Sequence, residues 1–184
     1  MFIDQVSTTV QSGPIAVVPY DPHWPVAFEQ LREAIKHSLG TIAFDIHHIG
    51  STAVPGLCAK PKIDIDVVLH SADYIAKAVD LLKNSDREYH GDPYNNDMWT
   101  LASRRGFSPG HRIYVCAPYT PAHLERILFR DYLRAHPEVA GAYAALKRRL
   151  VIESEGVWST YTDGKGAFVA DVVERAISQA RMAQ

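Results

Sequence analysis

Little in this chain of 184 residues points to a membrane, a zinc cluster or a polyanionic partner. Cysteine occurs only twice, at Cys58 and Cys116. Neither stands in a Cys-x-x-Cys or Cys/His spacing of the kind that holds zinc. Two distant cysteines make no disulfide framework, so a reducing compartment, the cytoplasm, is the expected location. Long apolar runs are missing, and none approaches the about 20 residues of a membrane helix. The N-terminal stretch MFIDQVSTTVQSGPIAVVPY lacks the basic segment and apolar core of a signal peptide. No charge sign is in excess: 19 Lys and Arg stand against 21 Asp and Glu, a formal net charge of -2. Bulk charge therefore indicates no nucleic-acid partner, and any basic site has to be local. Internal repeats and low-complexity tracts are absent too.

What is present is enough apolar material, 47% of the residues, for one sizeable core. The length suits one domain. Residues 1–13 read as a polar, flexible leader, and 14–184 as a single domain. Ile15–Tyr20 reads as a short strand or extended segment. The stretch DPHWP then opens a helix, with Asp21 or Trp24 near its cap and Pro25 in its first turn. Phe28, Leu31, Ile35 and Leu39 share one helical face, and Gly40 stops it. Ile42–Ile49 reads as a first, central strand, and Lys62–Leu69, rich in β-branched residues, as a second. A helix is predicted over Ala72–Leu82 with Ser71 as cap. Three short antiparallel strands follow, at Arg87–His90, Trp99–Ser103 and Arg112–Ala117. Beyond them come helices over Pro121–His136 and from Pro137, a break around Ser154–Asp163, and a last helix from about Gly164. The expected class is α+β, a small mixed, largely antiparallel sheet covered by helices.

The informative stretch is HIGSTAVPGLCAKPKIDIDVVL, from His48 to Leu69. Side chains alternate along a strand, so Ile63, Ile65, Val67 and Leu69 share one face and Lys62, Asp64, Asp66 and Val68 the other. The two carboxylates then stand roughly 7 Å apart at their α-carbons, pointing the same way. Paired like charges repel. A divalent cation removes the conflict, and Mg²⁺ takes one or two carboxylates together with phosphate oxygens. Metal clamping of attacking and leaving oxygens is the chemistry of phosphoryl and nucleotidyl transfer. Upstream, Gly50 lets the backbone approach a ligand closely. The amides and hydroxyls of Ser51 and Thr52 are candidate phosphate donors. Alone, an Asp-x-Asp pair also fits a solvated strand, and Gly-Ser an ordinary turn. Together they read as a phosphate cradle facing a metal platform.

That combination resembles the nucleotidyltransferase superfamily that shares its fold with DNA polymerase beta. More narrowly, VVPYDPHWPVAFE, HIGSTAVPGLCAKPKIDIDVVL, LFRDYLRAHPEVAGAYAALK and YTDGKGAFV resemble the GrpB family, over about Val17 to Ile177. The resemblance implies a nucleotidyltransferase-like fold. It also implies Asp64 and Asp66 as catalytic, magnesium-binding carboxylates and a nucleoside triphosphate as partner, the acceptor being undetermined. Gly50, Ser51 and Thr52 would hold phosphate, joined by His48, Lys60, Arg130 and Lys165. Arg130 reads either as a phosphate ligand or as a tie between helix and sheet; Asp131 reads as structural. The superfamily usually adds a third carboxylate on a later strand. Here that strand, RIYVC, has none. Arg112 and Tyr114, preceded by His111, stand where GrpB relatives tend to carry His-x-His.

Three functions are compatible with these residues. The first is a magnesium-dependent nucleotidyltransferase. The second is a nucleotide- or anion-binding module that has lost catalysis. The third is a metal-dependent phosphoesterase with water as acceptor. A histidine metal centre ranks below them, since the nine histidines form no H-x-H or HExxH pattern. The loop RRGFSPGH, with Arg104, Arg105, Phe107 and His111, is a further candidate for an anionic ligand.

Overall fold

The computed structural model describes residues 15–84, 86–104 and 106–182. The leader expected over 1–13 and Arg105 lie outside them. Helix α1 (Trp24–Leu39) forms where its apolar spacing predicts and buries Trp24, Phe28, Ile35 and Leu39. Its cap position is His23 rather than Asp21 or Trp24. The Asp21 carboxylate takes the His23 backbone N–H at 2.9 Å and so shapes the turn into the helix. Gly40, at φ 59°, closes α1.

Five strands form one sheet: β1 (Phe44–Ile49), β2 (Lys62–Leu69), β3 (Arg87–Gly91), β4 (Trp99–Ser103) and β5 (Gly110–Cys116), in the order β1-β2-β5-β4-β3. The pairs β1/β2, β3/β4 and β4/β5 are antiparallel, while β2/β5 is parallel. A parallel pair needs a crossover. Helix α2 (Ile75–Leu82), β3 and β4 supply it.

The first strand starts at Phe44 rather than Ile42, and it lies at the edge rather than in the centre. The reason is in its residues. Asp45, His47 and His48 make a poor strip to wall in on both sides, whereas β2 and β5 are buried along nearly their whole length. Ile15–Tyr20 makes a single antiparallel bridge, Val18 with Ala59, instead of a strand. A 3-10 turn at Ala72–Tyr74, with Ser71 Oγ accepting from the Asp73 N–H, precedes α2.

Ile63, Ile65, Val67 and Leu69 have no exposed surface and pack with Leu101, Ile113 and Val115 against α1 and α2. Burial stabilises each such side chain by about 1.5–3 kcal/mol. The opposite face, which carries the aspartates, is covered by α3 (Pro121–Ala135) through Ala122 and Ile127. Helices α3, α4 (Pro137–Glu153) and α6 (Gly166–Met182) share a second core with Val54, Leu57 and Cys58. The predicted break before the last helix contains a short helix, α5 (Trp158–Asp163), because Tyr161 is needed in a cluster with Ile15 and Leu150. Both cysteines are buried free thiols. Burial pushes Cys116 up to about 12, so it behaves as an apolar filler. Among the described residues no helix is long and apolar enough to cross a membrane.

Candidate functional site: a cationic cavity at the end of two strands

The cavity opens where β1 ends and β2 begins. Gly50, at φ 72° and ψ -171°, turns the chain out of β1 into a 3-10 turn over Ser51–Ala53. That backbone region is open essentially to glycine alone. The missing side chain also makes room. A Cβ on Gly50 would stand 2.9 Å from Asp64 Oδ2, so the carboxylate packs directly against the glycine. The two halves of the motif therefore do meet, and Gly50, Ser51, Thr52, Lys60 and Asp64 all line the cavity.

Asp66 does not join them. Its side chain is fully buried, and each oxygen is engaged: Oδ2 contacts His123 Nδ1 at 2.8 Å and Oδ1 accepts from Arg126 at 3.0 Å. Both partners lie on the inner face of α3, and Arg126 also stacks over the Tyr114 ring at 3.9 Å. The expected pair of carboxylates sharing one cation is thus divided between a cavity wall and a buried ion pair.

The other predicted residues fall into two groups. Lys60 and Lys165 reach the cavity. Their ammonium groups sit over the Tyr161 ring, each at 4.9 Å, and Lys60 also lies 4.4 Å from the Trp158 ring. His48 and Arg130 are placed elsewhere. His48 points to the α1 side of the sheet and stacks on Phe28 at 4.7 Å. Its Nε2 meets Thr52 Oγ1 at 3.0 Å. The Thr52 hydroxyl gives its one proton to the Lys62 carbonyl, so His48 Nε2 carries the proton between them. That hydroxyl is therefore a structural brace rather than a phosphate donor. Burial, with Arg134 and Arg130 nearby, holds His48 down to about 4, so the ring is neutral. Its neighbour His47 is the histidine on the aspartate face, paired in register with Asp66 and with its ring 5.0 Å from that of His123. Arg130 clamps Asp131 and donates to the His48 carbonyl at 3.0 Å, which ties α3 to β1. Arg104, just after β4, pairs with Glu88 at 3.0 Å, and buried His111, already in β5 rather than in the loop, accepts from Arg87.

Residues not foreseen complete the wall. Lys147 of α4, only 2% exposed, donates to Ser51 Oγ at 3.0 Å and to the Cys58 carbonyl. Arg112, beside Asp64 in the β2/β5 register, and Lys62 add two more cations, and Arg126 a third. Lys60, Lys62, Arg112, Arg126, Lys147 and Lys165 thus line the cavity together with Asp64. A signal for Lys147 was available. It follows Tyr143 by four residues and precedes Leu150 by three, on the stripe that α4 buries.

Magnesium binding can be tested against this donor set. Mg²⁺ demands near-octahedral oxygen coordination, commonly from one or two carboxylates plus phosphate. One carboxylate is in place, the second is held by Arg126 and His123, and the neighbouring strand offers Arg112. Among the described residues no group of three or more His, Cys, Asp or Glu is arranged to hold a metal ion. In this arrangement the residues do not fit a two-carboxylate magnesium site. They fit an anion.

The fold is nucleotidyltransferase-like, with Gly50, Ser51 and Asp64 on one cavity and Asp66 turned away from it into a buried ion pair. The family described as GrpB protein matches residues 14–175, and the chain belongs to that family. A UPF0157 protein of Halalkalibacterium halodurans is 35% identical over 164 residues, covering 88% of this chain and 82% of the relative. The UPF0157 protein YqkA of Bacillus subtilis is 30% identical over 167 residues, covering 88% of this chain but 47% of YqkA. This chain thus spans about half of that relative's length. The crystal structure of conserved protein GrpB from Enterococcus faecalis superposes with a TM-score of 0.81 at 28% identity, over 90% of this chain and 99% of that one. A solved GLD-2/RNP-8 complex superposes at 0.52 with 9% identity, over 71% of this chain and 43% of that one, a likeness of fold alone.

Proposed function

We propose that the chain binds a nucleoside triphosphate by its phosphate tail in the cavity between β1, β2, α4 and α6. One observation carries this reading: buried Lys147 holds Ser51 beside Gly50, with Lys60 and Lys165 on the same wall. Lys147 and Lys165 are buried and Lys60 is half-buried, so three ammonium groups concentrate positive charge on one wall, which favours a polyanion. The enclosed space, about 100 Å³, is well below the ~300–1,000 Å³ of sites that enclose a whole small molecule. Only the phosphate end is therefore enclosed, and the nucleoside lies outward over the rim.

Calorimetric titration with ATP, GTP, CTP and UTP tests the proposal. Triphosphates should bind, with the matching nucleosides binding at least tenfold more weakly. Lys147→Met should weaken triphosphate binding by about 10- to 100-fold, as expected for a hydrogen bond to a charged group. Equal affinity for nucleoside and triphosphate would refute it.

Magnesium-dependent nucleotidyl transfer to an unidentified acceptor is the second reading, supported by the fold and by Asp64 against Gly50. It requires Asp66 to exchange Arg126 and His123 for a cation. Pyrophosphate release in an acceptor screen, lost in Asp64→Asn, is its signature.

A further inference from the structure

We infer that the cavity takes its triphosphate as the free anion, with arginine and lysine side chains in place of the magnesium ion. The inference rests on the triphosphate reading above and goes beyond it in naming the charge state of the ligand.

The argument begins with Asp66. Its oxygens meet two partners, one a permanently charged guanidinium, in a place without solvent. Releasing Asp66 toward a metal would break its ion pair with buried Arg126. Arg126 already lines the cavity, with its guanidinium over the Tyr114 ring at 3.9 Å from the centroid. It is held by the Asp66 carboxylate and brings its positive charge to the cavity wall. Arg112 adds positive charge from β5, where it stands beside Asp64 in the strand register and lines the same cavity. A carboxylate at that position would extend a metal platform. An arginine there opposes a cation and attracts phosphate.

Charge then decides between the two forms of the ligand. Six cationic side chains line the wall with one carboxylate. A magnesium chelate of a triphosphate carries two fewer negative charges than the free anion. It also brings a cation toward Arg112 and Arg126. The free anion is therefore the better match, and Asp64 is a like charge that the ligand has to tolerate.

Calorimetry with ATP and with inorganic tripolyphosphate, in EDTA and in excess MgCl₂, tests this, using the full chain and its Asp64→Asn variant. Binding in EDTA should be as tight as or tighter than in MgCl₂. Asp64→Asn, with wild-type circular dichroism, should tighten binding about threefold or more by removing the like charge. Tightening of tenfold or more on adding MgCl₂ overturns the inference, as does weakened binding in Asp64→Asn. Both outcomes leave the triphosphate reading standing. Failure of both probes to bind in either buffer overturns that reading and this inference with it.

Discussion

Replacing Asp66 with asparagine removes one charge and almost no volume, so it isolates the ion pair. In the folded protein Asp66 has no solvent to fall back on, and Arg126 and His123 are themselves largely buried. The asparagine amide still has an oxygen for one partner, but Arg126 keeps its charge at any accessible pH. Removing one partner of a buried pair strands the other, at a cost of about 3–5 kcal/mol. Stability for a domain is ~5–15 kcal/mol in all. For a chain of this size each kcal/mol moves Tm by about 2–4 °C, so Asp66→Asn should melt ~6–20 °C lower. Urea unfolding is the direct assay, with a lowered midpoint at unchanged slope as the expected result. Adding Arg126→Met should recover about half the loss or more, because a buried pair replaced by apolar groups is often neutral. A loss under about 1 kcal/mol, or a gain, would refute the reasoning. A gain is what two carboxylates awaiting a shared cation would give, since asparagine relieves their repulsion.

Two further predictions come from the same corner of the fold. Gly50→Ala should lose about 1–3 kcal/mol for its backbone angles alone and also push the Asp64 carboxylate aside, since the new Cβ would meet Oδ2 at 2.9 Å; an unchanged urea midpoint would show that the turn relaxes freely. Stability should fall as pH drops from about 6.5 toward about 4, the value at which His48 and His111 titrate in the folded protein. Burial lowers both, helped at His48 by Arg134 and Arg130 and at His111 by Arg87, so within this window the unfolded chain takes up protons that the folded one refuses. Each histidine contributes on the order of 3 kcal/mol, fully present above about 6.5 and lost below about 4. Urea midpoints measured between pH 7 and 5 should therefore fall, and a flat profile would show that neither ring is held neutral.

Much of the fold was legible because its elements repeat a simple period. KIDIDVVL alternates so cleanly that the core face of β2, and the opposite face with both aspartates, followed from the residue order. The helix termini at Pro25, Gly40, Pro121 and Pro137 were equally plain, since these residues act on the backbone locally. Strand order was not legible. That β2 pairs in parallel with β5 depends on how an intervening helix and hairpin cross over, and no local pattern encodes it. Short α5 was missed because its polar Ser, Thr and Asp residues read as loop, while the burial of Tyr161 among Ile15 and Leu150 is a tertiary fact.

The candidate site divides along the same line. Gly50, Ser51 and Asp64 were readable because a glycine at a strand end and a carboxylate on a strand face each carry a local constraint. The fate of Asp66 was not, since its partners stand 57 and 60 residues further on. Alternation assigns a side chain to a face but is silent about what covers that face. Asp64 and Asp66 share a face, yet one meets a glycine and a cavity while the other meets a helix. The deciding residues, His123 and Arg126, had a signal of their own. They stand on the same stripe of α3 as Phe129 and Leu133, where a helix buried on that side should be apolar. A histidine and an arginine on such a stripe demand a buried acceptor, and among the acids of the neighbouring strand only Asp66 lies deep enough to provide it. Charged residues on a buried helical stripe, read together with acids on a buried strand, therefore predict pairing before they predict metal binding.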